Sequence, residues 1–144
     1  MDRERVQEKL GFIKQQVSEV RQLVATRGAG EVTSDPWLMK GLKYSLQVAI
    51  EAMIDVAYHI AAKGYECAPR DARDAFEILA QKGAVGQEDL PVFLEMVRFR
   101  NRLVHGYNKV NDAVVYYAAE NKLQDFDRFV KSIGGCLQAG GRDA

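Results

Sequence analysis

Val92-Phe93-Leu94-Glu95-Met96-Val97-Arg98-Phe99-Arg100-Asn101-Arg102-Leu103-Val104-His105-Gly106-Tyr107 decides how this chain is read. At about 100° per residue, Val92, Phe93, Met96, Val97, Phe99, Leu103 and Val104 fall on one side of a helix. Arg98, Arg102 and His105 follow at spacings of four and three on the opposite, polar side. Arg100 breaks the pattern because it sits near the middle of the apolar stripe, where a charge needs a partner. Gly106 suits the position just past a helix end. Arg100 and His105 are five residues apart, so on one straight helix they diverge by roughly 140° and cannot meet at one atom. Either the helix stops before His105, or a second copy of the chain completes the site.

The residue types point to phosphodiester chemistry. Guanidinium groups hold phosphate in a fixed fork, and an imidazole moves protons near neutral pH. From the residues alone, however, Arg100 can equally be a structural arginine paired with Glu51 or Asp55, one turn apart on the preceding long helix. His105 on its own reads first as an ordinary helix-end histidine. His59, four residues after Asp55, reads as a satisfied histidine. The two histidines and the nearby carboxylates make no metal-ligand set, and neither a metal nor a cofactor is expected.

The pattern Arg100-x4-His105-x-Tyr107 resembles the signature of the HEPN superfamily, specifically its HepT-like ribonuclease toxins. Asn101 fills the polar place after the arginine. Leu46-Gln47-Val48-Ala49-Ile50-Glu51-Ala52-Met53-Ile54-Asp55 is similar to the family's long second helix, and the likeness extends over about residues 3–137. The resemblance implies a homodimeric, metal-independent endoribonuclease, the toxin of a type VII-like toxin–antitoxin pair. In it the RNA 2′-hydroxyl attacks the adjacent phosphate. It implies Arg100 and His105 as catalytic residues, with Asn101, Arg102, Glu51 and Asp55 in support. It further implies a minimal nucleotidyltransferase antitoxin that silences the toxin by AMPylation of Tyr107. The competing readings are a non-catalytic HEPN subunit that binds a nucleotide or partner beside a nucleotidyltransferase, and a structural dimerisation bundle.

Composition bounds these readings. A length of 144 residues fits one domain spanning 1–144 with a frayed tail from Gly140. Twenty basic residues balance twenty acidic ones, which argues against a protein that coats nucleic acid through a broad basic surface. Two cysteines, Cys67 and Cys136, are too few for a disulfide framework. No apolar signal core or membrane-length stretch appears, so a soluble, cytoplasmic protein with no membrane partner is expected.

Periodicity predicts an all-α antiparallel bundle of four long helices and one short one. The first carries Val6, Leu10, Ile13, Val17, Val20 and Val24. A loop over Arg27–Asp35 leads to a second helix, capped by Ser34 or Asp35, that runs to about Lys63. A short helix spans Asp71–Lys82 with Phe76 and Leu79 inward, and the motif helix starts near Glu88. A single last helix, capped by Asn111, carries Val115, Ala119, Leu123, Phe126, Val130, Ile133 and Leu137. Trp37, Tyr116 and Tyr117 are expected as core or dimer contacts rather than base-stacking platforms.

Overall fold

A computed structural model describes residues 1–105 and 110–143 of the chain. Gly106 and Tyr107, with the helix-ending role expected of the glycine, lie outside the described residues. Among the described residues the fold is all-α: α1 (Arg3–Thr26), α2 (Ala29–Ser34), α3 (Pro36–His59), α4 (Ala72–Gln81), α5 (Leu90–His105), α6 (Asp112–Asn121) and α7 (Gln124–Asp143). The four long helices of the sequence reading are α1, α3, α5 and α7. The short helices are three, not one.

Local chemistry sets each start. The Asp2 carboxylate accepts from the Arg5 N–H (3.0 Å) and caps α1. Asp35, not Ser34, caps α3, accepting from the N–H groups of Trp37 and Leu38 at 2.9 and 3.2 Å, with Pro36 in the first turn. Asp71 caps α4 and Asn111 caps α6 in the same way. Pro91 is the second residue of α5, where its missing N–H leaves no helical bond unmade.

The long helix α3 is the hub. It packs on α1, α4, α5 and α6, and Met39, Leu42, Leu46, Ala49, Ile50, Met53 and Val56 are all buried. Its chain direction opposes that of α1, because Lys9 reaches Asp55 and the Asp2 N–H donates to His59 Nε2 at 3.0 Å. Burial first, then the nearby Arg5 cation, hold the His59 imidazole below its ordinary range, which keeps the accepting lone pair available. Beyond His59 the helix widens into a π-turn over Ile60–Gly64 rather than continuing as α-helix to Lys63. Arg3 donates to the Leu137 carbonyl and Arg21 pairs with Asp127, so α7 also runs against α1.

Three rings close the centre. Phe76 of α4, Phe93 of α5 and Phe129 of α7 are fully buried, with centroids 5.5–5.8 Å apart in tilted and edge-on geometries.

Several expectations need correction. The Arg27–Asp35 segment is not a plain loop: α2 forms there and buries Val32 against the core. The last helix is interrupted at Lys122 and Leu123, so the motif-distal segment is two helices. The apolar spacing runs through that break unchanged, which hides it from a periodicity reading. A 3₁₀ turn over Gln87–Asp89 delays α5 to Leu90, and the helical backbone of α7 continues past Gly140 to Asp143. Val104 is 41% exposed and Trp37 78% exposed, so neither belongs to the core. No helix among the described residues is long and apolar enough to cross a membrane.

The aromatic triad generates a stability prediction. Phe93→Ala lowers the free energy of unfolding in urea by about 3–5 kcal/mol, whereas Trp37→Ala changes it by no more than about 0.5 kcal/mol. Equal losses would contradict the placement of the core.

Candidate active site

The last two turns of α5 carry the motif, and α3 supplies what holds it. Arg100 donates from Nε and Nη2 to a single oxygen of Glu51, at 3.0 and 2.7 Å. Both side chains are half-buried, at 28% and 31% exposure, so the arginine sits at the edge of the apolar stripe, not inside it. Its Nη1 donates to the Asn101 side-chain oxygen at 3.2 Å. Gln47, one turn before Glu51 on α3, donates to the same Glu51 oxygen at 3.3 Å. The arrangement is a chain: Gln47 steadies Glu51, Glu51 takes one edge of the guanidinium, and Asn101 takes part of another. A guanidinium has five N–H donors. Two of them have no partner among the described residues and remain for an anion.

Of the two carboxylates considered as partners, the structure selects Glu51. Asp55 lies one turn on, is exposed, and pairs with Lys9 at 3.2 Å. It joins the α1–α3 contact and not the arginine. Arg98 is tied to Glu95 on its own helix. Arg102 is exposed and lies over the Phe99 ring, 5.8 Å from its centroid. Among the described residues it has no carboxylate within ion-pair distance, which sets it apart from Arg98 and Arg100.

His105 is the last residue of α5 and is exposed. The α-helix therefore includes it, and the possibility that the helix stops short is removed. Arg100 faces α3, and His105 projects from a different side of the same rod, roughly 140° away. One chain does not aim both groups at a common atom. Tyr107 lies outside the described residues. Among those residues, no three His, Cys, Asp or Glu side chains gather as a potential metal site.

A second feature borders the motif. A groove of about 280 Å³ runs along α5 between α3, α6 and α7. Ile50, Met96 and Phe99 line its depth, and Val114 and Tyr117 form the α6 side. Arg102 stands at the motif end, with Glu95, Lys122 and Asp125 among the remaining lining residues. Burial pushes the Asp125 carboxyl above the usual range, opposed by the Arg128 and Lys122 cations. Sequence reasoning missed this groove and its aromatic wall. Tyr116 is buried and donates to the Arg27 carbonyl at 2.9 Å, but its neighbour Tyr117 is 57% exposed. The spacing of Val92, Glu95, Met96, Phe99 and Arg102 was the signal available: a partly apolar helix face that α6 does not fully cover.

The Glu51–Arg100 contact has a measurable consequence. In a double-mutant cycle of Glu51→Ala and Arg100→Ala, urea unfolding gives a coupling of about 1 kcal/mol, the scale of a partly exposed, multiply hydrogen-bonded pair. Strict additivity would show that the pair is not formed in solution.

Comparison with known proteins identifies the family and the fold. The sequence profile of the ribonuclease HepT-like family matches residues 13–133. The mRNA nuclease HepT of Shewanella oneidensis is 30% identical over 125 residues, covering 87% of this chain and 92% of that protein. A putative RNase of Archaeoglobus fulgidus is 26% identical over 96% of this chain and 97% of its own length. Among solved structures, the tri-AMPylated HEPN toxin of Shewanella oneidensis in complex with MNT antitoxin superposes with a TM-score of 0.84 at 28% identity, covering 94% of this chain and 99% of that one. The cytosolic protein YutE of Bacillus subtilis shares the fold, with a TM-score of 0.82 at 18% identity over 97% of this chain and 93% of its own. The profile match over residues 13–133 and the 30% identity to a relative covered over 92% of its length place this protein in the ribonuclease HepT-like family of HEPN proteins.

Proposed function

We propose that this chain is a metal-independent endoribonuclease toxin, active as a homodimer and neutralised by a nucleotidyltransferase antitoxin. The observation that carries the reading is the state of Arg100: fixed by Glu51 and Asn101, yet with two N–H donors to spare, on the same helix as an exposed histidine. The relatives support the class, since one is described as an mRNA nuclease and a structural neighbour as a HEPN toxin bound to MNT antitoxin.

The chemistry follows from these groups. A base takes the proton of an RNA 2′-hydroxyl, and the oxygen attacks the neighbouring phosphorus. The bond from phosphorus to the 5′-oxygen of the next nucleotide breaks, and that oxygen receives a proton. The products are a 2′,3′-cyclic phosphate and a 5′-hydroxyl. His105 moves a proton in this exchange. Arg100 meets the charge that builds on the phosphate oxygens, with its orientation prepared in advance. Because α5 is unbroken through His105, the converging pair comes from two copies: the arginine of one protomer and the histidine of its partner. Asn101 orients Arg100, while Arg102 contributes charge beside His105. Asp55 pairs with Lys9 of α1 and does not contact Arg100.

Silencing acts two residues beyond His105. The Tyr107 hydroxyl attacks the α-phosphate of ATP, pyrophosphate leaves, and AMP remains on the ring. The added negative charge and bulk then exclude an RNA phosphate from the neighbouring imidazole.

A purely structural Arg100–Glu51 pair is the competing reading, because the pair itself joins α3 to α5. The two readings separate at His105, which makes no contact that holds the fold together among the described residues. His105→Ala, assayed on RNA in EDTA, cleaves at least about 100-fold more slowly than the parent, with unchanged circular dichroism and sedimentation. Undiminished cleavage removes His105 from the mechanism. Incubation with ATP and the nucleotidyltransferase adds AMP mass to the parent and none to Tyr107→Phe, read by intact-protein mass spectrometry. Modification that persists in Tyr107→Phe places the acceptor elsewhere.

A further inference from the structure

The groove along α5 adjoins the proposed cleavage site but is not used by it. Arg102, at its motif end, lies three residues before His105 on the same helix. From there the helix carries Phe99, Met96 and Glu95 along the groove, about 10 Å from Arg102 to Glu95. A phosphate held at the end of α5 has this opening within one nucleoside's reach. Tyr117 stands 57% exposed on the α6 side and presents its ring to the groove. The Arg102 guanidinium lies over Phe99 and forms a flat cationic rim.

Size and charge select the occupant. About 280 Å³ suits one planar ring system with its sugar, and is at the small end of ligand pockets. The groove is also not uniformly apolar. Both hydrogen bonds from Arg98 go to one oxygen of Glu95, which leaves the other able to accept. Asp125 is largely covered, and its nearest cation, on Arg128, is 4.0 Å away. A helix of a second copy laid into this groove would bury both carboxylates against apolar side chains, at a desolvation cost. The amino group of a base would instead give them a donor.

We infer that this groove is a nucleobase subsite: it seats the base next to the scissile phosphate, stacked on Tyr117, with an exocyclic amine directed to Glu95 and Asp125 and the phosphate side bounded by Arg102. The inference rests on the RNA-cleaving reading above and extends it from chemistry to substrate selection. Adenine, guanine and cytosine carry such an amine, and uracil does not. Tyr117 is then a specificity-determining residue outside the Arg100–His105 pair.

Binding and cleavage are tested separately, so that the two readings can fail independently. The probe is a fluorescent 2′-O-methyl oligoadenylate, which offers no 2′-hydroxyl for attack, with an abasic oligomer of equal length beside it. By fluorescence anisotropy, Tyr117→Ala binds the oligoadenylate about tenfold more weakly than the parent. Tyr117→Phe stays within about twofold because the ring face is kept, and the abasic oligomer does not distinguish parent from Tyr117→Ala. Sedimentation of Tyr117→Ala matches the parent. Equal affinity of parent and Tyr117→Ala for the oligoadenylate, no binding by the parent, or equal loss on the abasic oligomer overturns the subsite. A changed sedimentation mass also overturns it and makes the groove a protein interface. Cleavage of all-ribose RNA by the parent in EDTA is scored independently. A parent that shows the Tyr117 dependence but cleaves nothing keeps the subsite and loses the nuclease, and a parent that cleaves without the dependence does the reverse.

Discussion

The contact between Glu51 and Arg100 ties the fold to the site. It spans α3 and α5, the two helices on which the candidate chemistry depends, and it fixes their relative register at the motif. Its energetic contribution is modest, because both groups keep nearly a third of their surface in water and solvent screens the attraction. Its value is orientation. An arginine loses much rotamer freedom when it is held, and here the carboxylate has already imposed that loss before any substrate arrives. The three donors accepted by one Glu51 oxygen, two from Arg100 and one from Gln47, restrain the carboxylate as well. A phosphate that reaches the open edge of the guanidinium therefore meets a group that need not reorganise.

The second constraint is the rigidity of α5. A helix that continues through His105 cannot bend its histidine toward its own Arg100. No flexible hinge is available to bring them together, since positions 100 to 105 are continuous α-helix. The geometry that looks like a defect in one chain becomes an asset in a two-fold pair, where each rod presents an arginine on one side and a histidine on the other. In the proposed homodimer, isologous symmetry would build two equivalent sites, each with the arginine of one copy and the histidine of the other. Under this reading dimer formation and the cleavage site are one requirement, and a monomer has the parts without their convergence.

Much of the fold was legible because helices advertise themselves twice, by spacing and by caps. The stripe of Val6, Leu10, Ile13, Val17 and Val20 and the caps at Asp35 and Asn111 are where the residues place them. That Arg100 pairs with a carboxylate of α3 was legible too, since a charge on an apolar face must find an opposite one nearby, but the choice of Glu51 over Asp55 was not. Three further things were not. The helix α2 is too short for periodicity to register, with Val32 as its one buried side chain. The break at Lys122 and Leu123 leaves the apolar phase intact, so spacing carried no trace of it. Finally, whether a face is covered depends on what packs beside it. Tyr116 and Tyr117 are adjacent and identical in type, yet one is buried and the other half in solvent, a difference set by the placement of α6.

Charge explains why a protein with no net charge can still act on RNA. Arginines on and around the motif helix are locally neutralised, Arg98 by Glu95 and Arg100 by Glu51, as are Arg73 by Glu77 on α4 and Arg128, weakly, by Asp89 and Asp125. Such a surface gains little from releasing counterions, so non-specific attraction to a polyanion is weak. Discrimination must then come from the few donors left unpaired and from contacts with the bases themselves. Among the described residues Arg102 is an exposed cation one turn before His105 with no carboxylate within ion-pair distance, and the groove it borders offers an aromatic face and two carboxylates to a planar ligand. If the groove seats a base as inferred, such a site would discriminate by the fit of base and phosphate together rather than by attraction to the backbone. The proposed silencing uses the same economy: with so little attractive charge in reserve, the negative charge of an AMP added two residues past the histidine would compete directly with an RNA phosphate for the few donors the site has.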